Sequence, residues 1–154
     1  MALAQSSNEG KVHAAFLYAI VKYFEWPNNS EAGEFEIAVL GANDVFDALK
    51  ANFEGKVVGN KKCVIRNITS ASDLAPNSVV YIGKSKSKEF DVIKRMAGNK
   101  SLLTVTEKED LGSKGSCVNF IVVEGKLRFE LNRSATAISN LKVSGALVSM
   151  AILL

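Results

Sequence analysis

Gly83-Lys84-Ser85, set between an apolar run and a stretch of helical spacing, is the closest the chain comes to a nucleotide site. A phosphate-binding loop requires G-x-x-x-x-G-K-[ST], so that a long glycine-rich turn wraps the phosphates. The position where the first of those glycines belongs is Ser78, inside an expected strand, so the wrap is missing and NTP hydrolysis is excluded. A weaker anion site is physically open there, because backbone N–H groups at a helix start and Lys84, Lys86 and Lys88 converge. The plainer reading is a solvated basic loop. Gly41-Ala42-Asn43 and Gly112-Ser113-Lys114-Gly115 do not complete a dinucleotide fingerprint; the first has one glycine and no helix is expected after the second.

His13 is the chain's one histidine and falls on a helix face with Leu17, Ile20 and Phe24. No serine lies in G-x-S-x-G, so a nucleophile for it to activate is missing. The expected role is a buried, hydrogen-bonded structural histidine, with ligand contact as the alternative. Glu107, Glu109 and Asp110 form the one acidic cluster, expected at a strand-to-helix turn, where carboxylates favour a helix N-terminus. No spaced set of oxygen ligands surrounds them, and no metal site is expected. Cys63 and Cys117 belong to no C-x-x-C pair, and one histidine cannot complete a zinc site with them. In an oxidising compartment they are expected to form a single disulfide; the alternative is two buried thiols.

These residues sit in a chain of 154 residues, 47% hydrophobic and 23% charged, which is enough for one domain with a real core. The net charge of +3 demands no polyanionic partner, and the basic residues are too dispersed for a nucleic-acid surface. Ala2-Leu3-Ala4 has the small-x-small form that signal peptidase accepts. It reads as the end of a removed secretory signal behind an added start Met1. Residues 1–8 are therefore expected to be a signal-peptide remnant or disordered N-terminus, and 9–154 the folded domain.

The elements that must position the side chains follow from periodicity. A helix is expected from Lys11 to Glu25, buried over a wide arc and stopped by Pro27. Its apolar run, Ala14 to Val21, is far too short to cross a bilayer. Strands are expected at 35–41, 61–66, 78–83 and 101–105, with helices at 44–53 and 89–97. Val118–Val123 and Lys126–Leu131 then form a hairpin across Glu124-Gly125, followed by a helix capped by Asn132 and a last helix from Ser144 onward. Alternating strands and helices imply a single-domain α/β three-layer sandwich. Its sheet is mostly parallel with an antiparallel edge hairpin, and helices cover both faces.

Two stretches carry a resemblance. Ala15-Phe16-Leu17-Tyr18 leads into Lys22-Tyr23-Phe24-Glu25-Trp26-Pro27, and Gly125-Lys126-Leu127-Arg128-Phe129-Glu130-Leu131-Asn132 leads into Leu141-Lys142-Val143-Ser144 and Leu147. In order and spacing the chain resembles the YfiR family of periplasmic proteins. The similarity runs over nearly its whole length and takes in Ser101-Leu102-Leu103-Thr104-Val105.

The resemblance implies a periplasmic repressor that binds the periplasmic sensor region of an inner-membrane diguanylate cyclase, lowering cyclic-di-GMP and biofilm formation. It also implies an outer-membrane lipoprotein as a sequestering partner, a homodimer, no cofactor and no catalysis. The chain departs from the family pattern in having two cysteines and in reading Gly115-Ser116-Cys117 where a double glycine is common. One structural bridge, Cys63–Cys117, is the most that carries over. Tyr23, Trp26 and Arg128 are the candidate partner or ligand contacts, since exposed aromatics and arginines anchor interfaces. The alternative function is a periplasmic sensor module holding a small molecule or anion at the sheet edge near Gly41 or Gly83.

Overall fold

The computed structural model describes residues 2–27 and 33–154; the reading of Met1 as an added start residue lies outside them. In chain order the elements are α1 (Ala2–Val21), β1 (Phe24–Glu25), β2 (Gly33–Leu40), α2 (Asn43–Phe53), β3 (Val57–Val58), β4 (Lys61–Ile68) and β5 (Val79–Ile82). They continue with α3 (Phe90–Lys100), β6 (Leu103–Thr106), β7 (Val118–Val123), β8 (Lys126–Leu131), α4 (Arg133–Ile138), β9 (Lys142–Val143), α5 (Gly145–Met150) and β10 (Ile152–Leu153). The main sheet runs β10-β8-β7-β6-β5-β2-β4-β3, and β1 pairs with β9 in a separate two-stranded ribbon. Strands β4, β2, β5, β6 and β7 are mutually parallel; β8 runs antiparallel to β7, and β3 antiparallel to β4.

Period-two alternation sorts each central strand between two layers. Phe35, Ile37 and Val39 of β2 and Val79 and Tyr81 of β5 face a core closed by α1, α2 and α5. Ala38, Leu40, Val80 and Ile82 face a second core closed by α3 and the short 3₁₀ turn Ala71–Asp73. The architecture is the expected single-domain α/β sandwich. Helix α1 crosses the start of α2 at Gly10, where a Cβ would come within 2.8 Å of the Asp44 carbonyl carbon. Gly10 is thus a point of close helix approach.

Several boundaries differ from the expected ones, beginning with the start of α1, which lies at Ala2 rather than Lys11 and so takes in residues 2–8, read as a signal remnant or disordered N-terminus. Helix α1 ends at Val21, and Phe24–Glu25 turns into a strand that pairs with Lys142–Val143. Burial then alternates through Phe24, Glu25 and Trp26, a period of two concealed by the helical spacing upstream. Gly98 lies inside α3; the left-handed residue that ends the helix is Ser101, at φ 50°. The segment between Gly55 and Gly59, read as a turn, contains β3, which edges the sheet beside β4. Past α5 the chain extends again as β10, and the Leu154 N–H donates to the Leu131 carbonyl.

Candidate functional site

Parallel strands β5 and β6 end side by side, with Tyr81 opposite Val105 and Ile82 opposite Thr106. Glu107 follows β6 directly and so emerges at the carboxyl edge of the sheet beside Tyr81. Its base is pinned: Thr106 Oγ1 lies within hydrogen-bond distance of Ser116 Oγ (2.8 Å) and Asn119 Oδ1 (2.7 Å) in a buried network. Helix α1 lies over this edge and places His13 Nδ1 2.9 Å from the Tyr81 hydroxyl and 3.1 Å from Glu107 Oε2. The Tyr81 hydroxyl itself donates to Glu107 Oε2, and the Lys84 N–H donates to Oε1 at 2.8 Å. Phe120 backs the imidazole edge-on, with ring centroids 5.6 Å apart.

Burial pushes the Glu107 carboxyl up, but hydrogen bonds from His13, Tyr81 and Lys84 together outweigh it and hold the net value below the usual range. Burial, then the Glu107 charge and hydrogen bond, drives the Tyr81 phenol well above its ordinary value, so it stays protonated as the donor. Both carboxylate oxygens are therefore spoken for. The cluster fastens α1 to the sheet edge, and among the described residues no serine or cysteine lines the groove beside it. That groove, about 760 Å³, runs between Asn8, Glu9, Val12 and His13 of α1 and Phe120, Val122 and Leu127 of the hairpin. Among the described residues no group of three or more histidines, cysteines or acids could hold a metal.

His13 is thus hydrogen-bonded as expected, though half-buried, with 21% of its side chain exposed. Glu107 and Tyr81 escaped the sequence reading, which placed Glu107 at a helix start. No helix follows it: the Lys108–Ser116 loop does. The signal available in the sequence was an acid and a tyrosine at the carboxyl ends of two successive strands.

Gly83-Lys84-Ser85 has a different role from the one weighed for it. A Cβ on Gly83 would lie 2.1 Å from the Gly41 carbonyl oxygen, and Ser85 Oγ donates to that same oxygen at 3.2 Å. The strand order reverses between β2 and β5, which is where a doubly wound sheet usually opens for a ligand. Here Gly41 and Gly83 close it, and the Glu107 carboxylate takes the Lys84 N–H that an anion would use.

The three interface candidates do not share one surface. Tyr23 is 37% exposed, with its carbonyl accepting from the Ser144 N–H. Trp26 is not the exposed aromatic it was read as: it is 9% exposed, packed edge-on against Phe35 at 4.8 Å between centroids, and borders a groove of about 370 Å³. Arg128 is exposed on β8, on the strand face opposite Phe129 and Leu131. Between β8 and β2, which carries Phe35, lie β7, β6 and β5, about 19 Å of sheet at ~4.8 Å per strand.

The expected disulfide is also corrected. Cys63 and Cys117 are free and buried. Cys63 lies on β4 and Cys117 adjoins β7, with β6, β5 and β2 between them. That separation is again about 19 Å, against the ~7 Å between Cα atoms that a bridge tolerates.

The fold and the polar cluster that fastens α1 to the sheet edge define a single-domain α/β sandwich. The chain belongs to the YfiR/HmsC-like family, whose model matches residues 10–152. That family is one of periplasmic regulators rather than enzymes. No curated protein sequence matches the chain. No helix among the described residues is long and apolar enough to cross a membrane.

Proposed function

We propose that the protein is a periplasmic repressor that binds the periplasmic sensor region of an inner-membrane diguanylate cyclase and holds the enzyme inactive, lowering cyclic-di-GMP and biofilm formation. The observation that supports this reading most is the family match, which spans residues 10–152 rather than one motif. The close Gly41–Gly83 approach agrees with action through a surface. Repression by binding requires a difference in affinity between the cyclase's two states. A near-complete off state needs about 5.5 kcal/mol of it. An outer-membrane lipoprotein that sequesters the repressor, and assembly as a homodimer, belong to the same proposal.

The test is co-purification from the native cell with the periplasmic domain of a membrane cyclase, alongside cellular cyclic-di-GMP with and without the gene. Capture of such a domain and a rise in cyclic-di-GMP on deletion are the expected results. An unchanged cyclic-di-GMP level in the deletion strain would refute the proposal. Tyr23→Ala and Arg128→Ala, both at exposed positions, then report which end of the molecule the partner covers.

A further inference from the structure

A pocket of about 220 Å³ opens between α3, the 113–117 end of the loop, and α4. Its charge is of one sign: Lys94 and Lys114 line it, and no carboxylate does among the described lining residues. Lys94 reaches across the loop. Its ammonium donates to the Lys114 carbonyl at 2.5 Å, and its side chain lies across Gly115. A Cβ there would meet Lys94 Cε at 2.6 Å, and φ is +115°, so only glycine admits the arrangement.

The floor is compact. Thr104 and Ser139 are buried hydroxyls on it, beside Cys117, Ala97 and Ala135. Thr104 Oγ1 accepts from the Cys117 N–H at 2.9 Å. The wall carries Ile138, which leaves 68% of its surface exposed at the mouth. An apolar side chain so placed in a pocket lined by two lysines matches a ligand with one anionic end and one apolar body. The volume falls below the roughly 300–1,000 Å³ of drug-sized sites, which restricts the ligand to a small molecule.

We infer that this pocket is a binding site for a small carboxylate with a short apolar body, its anionic end between Lys94 and Lys114 and its body against Ala97, Ala135 and Ile138. The site is separate from the surface reading of function above and stands or falls without it.

The test is an amide NMR titration of the intact protein with sodium hexanoate, with hexylamine as the charge-reversed probe and inorganic phosphate as the anion without a body. Hexanoate is expected to shift the Gly115, Cys117, Ala135 and Ser139 amides saturably, hexylamine to leave them in place, and phosphate to bind more weakly. Lys94→Gln with Lys114→Gln is expected to raise Kd about tenfold or more, as loss of charge-assisted hydrogen bonds implies. Ile138→Ser, at an exposed position, is expected to weaken hexanoate and leave phosphate unchanged. No saturable shift with hexanoate, equal binding of hexylamine, or a Kd indifferent to the two lysines would overturn the assignment. Phosphate binding as tightly as hexanoate would overturn the apolar half of it.

Discussion

His13 Nδ1 and Glu107 Oε2 lie 3.1 Å apart although 94 residues separate them in the chain. The contact joins the first helix to the far end of β6 and makes the two halves of the fold mutually dependent. Replacing Glu107 by Gln keeps the shape but removes the charge and one acceptor, leaving the Tyr81 hydroxyl or the Lys84 N–H less well paired. The expected cost is about 1–3 kcal/mol, or ~2–4 °C of melting temperature per kcal/mol for a chain of this size. In a double-mutant cycle with His13→Ala, a coupling of ~0.5–3 kcal/mol is expected. Strictly additive losses would show that the two side chains do not act together.

The same carboxylate gives the stability a sign with pH. Its folded value is held below the ordinary 4.5, so the folded state favours the ionised form. The stabilisation is complete above that unfolded value and is lost as pH falls through the lower folded one. Urea unfolding between neutral pH and about pH 3 should show the gap between native protein and Glu107→Gln narrowing only on the acid side. A gap that widened toward acid would contradict the assignment.

Cys63 and Cys117 should behave as two inaccessible thiols. Burial, reinforced by the Glu54 charge, pushes the Cys63 thiol up to about 12, and burial raises Cys117 against hydrogen bonds from Thr104 and Ser139. A thiol reagent at neutral pH should label neither until the protein unfolds, because the thiolate is the reactive form. Intact mass without reductant should match the dithiol, and reductant should leave the melting temperature unchanged. A mass lower by two hydrogens would revive the bridge.

Gly83→Ala should be far more damaging than Gly125→Ala. At Gly83 the new methyl meets the Gly41 carbonyl oxygen at 2.1 Å and its carbon at 2.7 Å, backbone atoms with little room to yield. At Gly125 nothing lies within 4 Å, and only the left-handed φ of 78° is strained. Costs of about 3 kcal/mol or more at the first and ~1–2 kcal/mol at the second are expected in denaturant unfolding.

Trp26→Ala should unfold the protein more than it disturbs any surface. Deleting an indole packed on Phe24 and Phe35 is expected to cost ~3–5 kcal/mol. Arg128→Ala, on an exposed strand position, should fall within about 0.5 kcal/mol of the native protein. A loss of partner binding in Arg128→Ala with unchanged stability would therefore report contact, whereas the same loss in Trp26→Ala would report folding. Trp26 is the chain's one tryptophan, so its fluorescence follows the transition directly.

Some of this was legible in the residues and some was not. The near-continuous apolar runs along 35–40 and 79–82 mark strands buried on both faces, and Asn132 caps α4 as its type suggests, accepting from the Ala135 N–H at 3.0 Å. These are local patterns, set by the pleat of a strand or the unpaired N–H groups of a helix start. Phe24–Glu25 read as helix because its partner, Lys142–Val143, lies more than a hundred residues away. Glu107 read as a turn acid because its neighbours His13 and Tyr81 belong to other elements.

The sequence by itself determined the class: one α/β sandwich, with its central strands and main helices in order. Tertiary structure alone decided which ends meet. Strand order is set by non-local pairing and crossover, and no residue's type encodes how many strands will come between it and another. That is why β6, β5 and β2 part Cys63 from Cys117, and why β5 and β6, lying adjacent, bring Tyr81 and Glu107 together under His13.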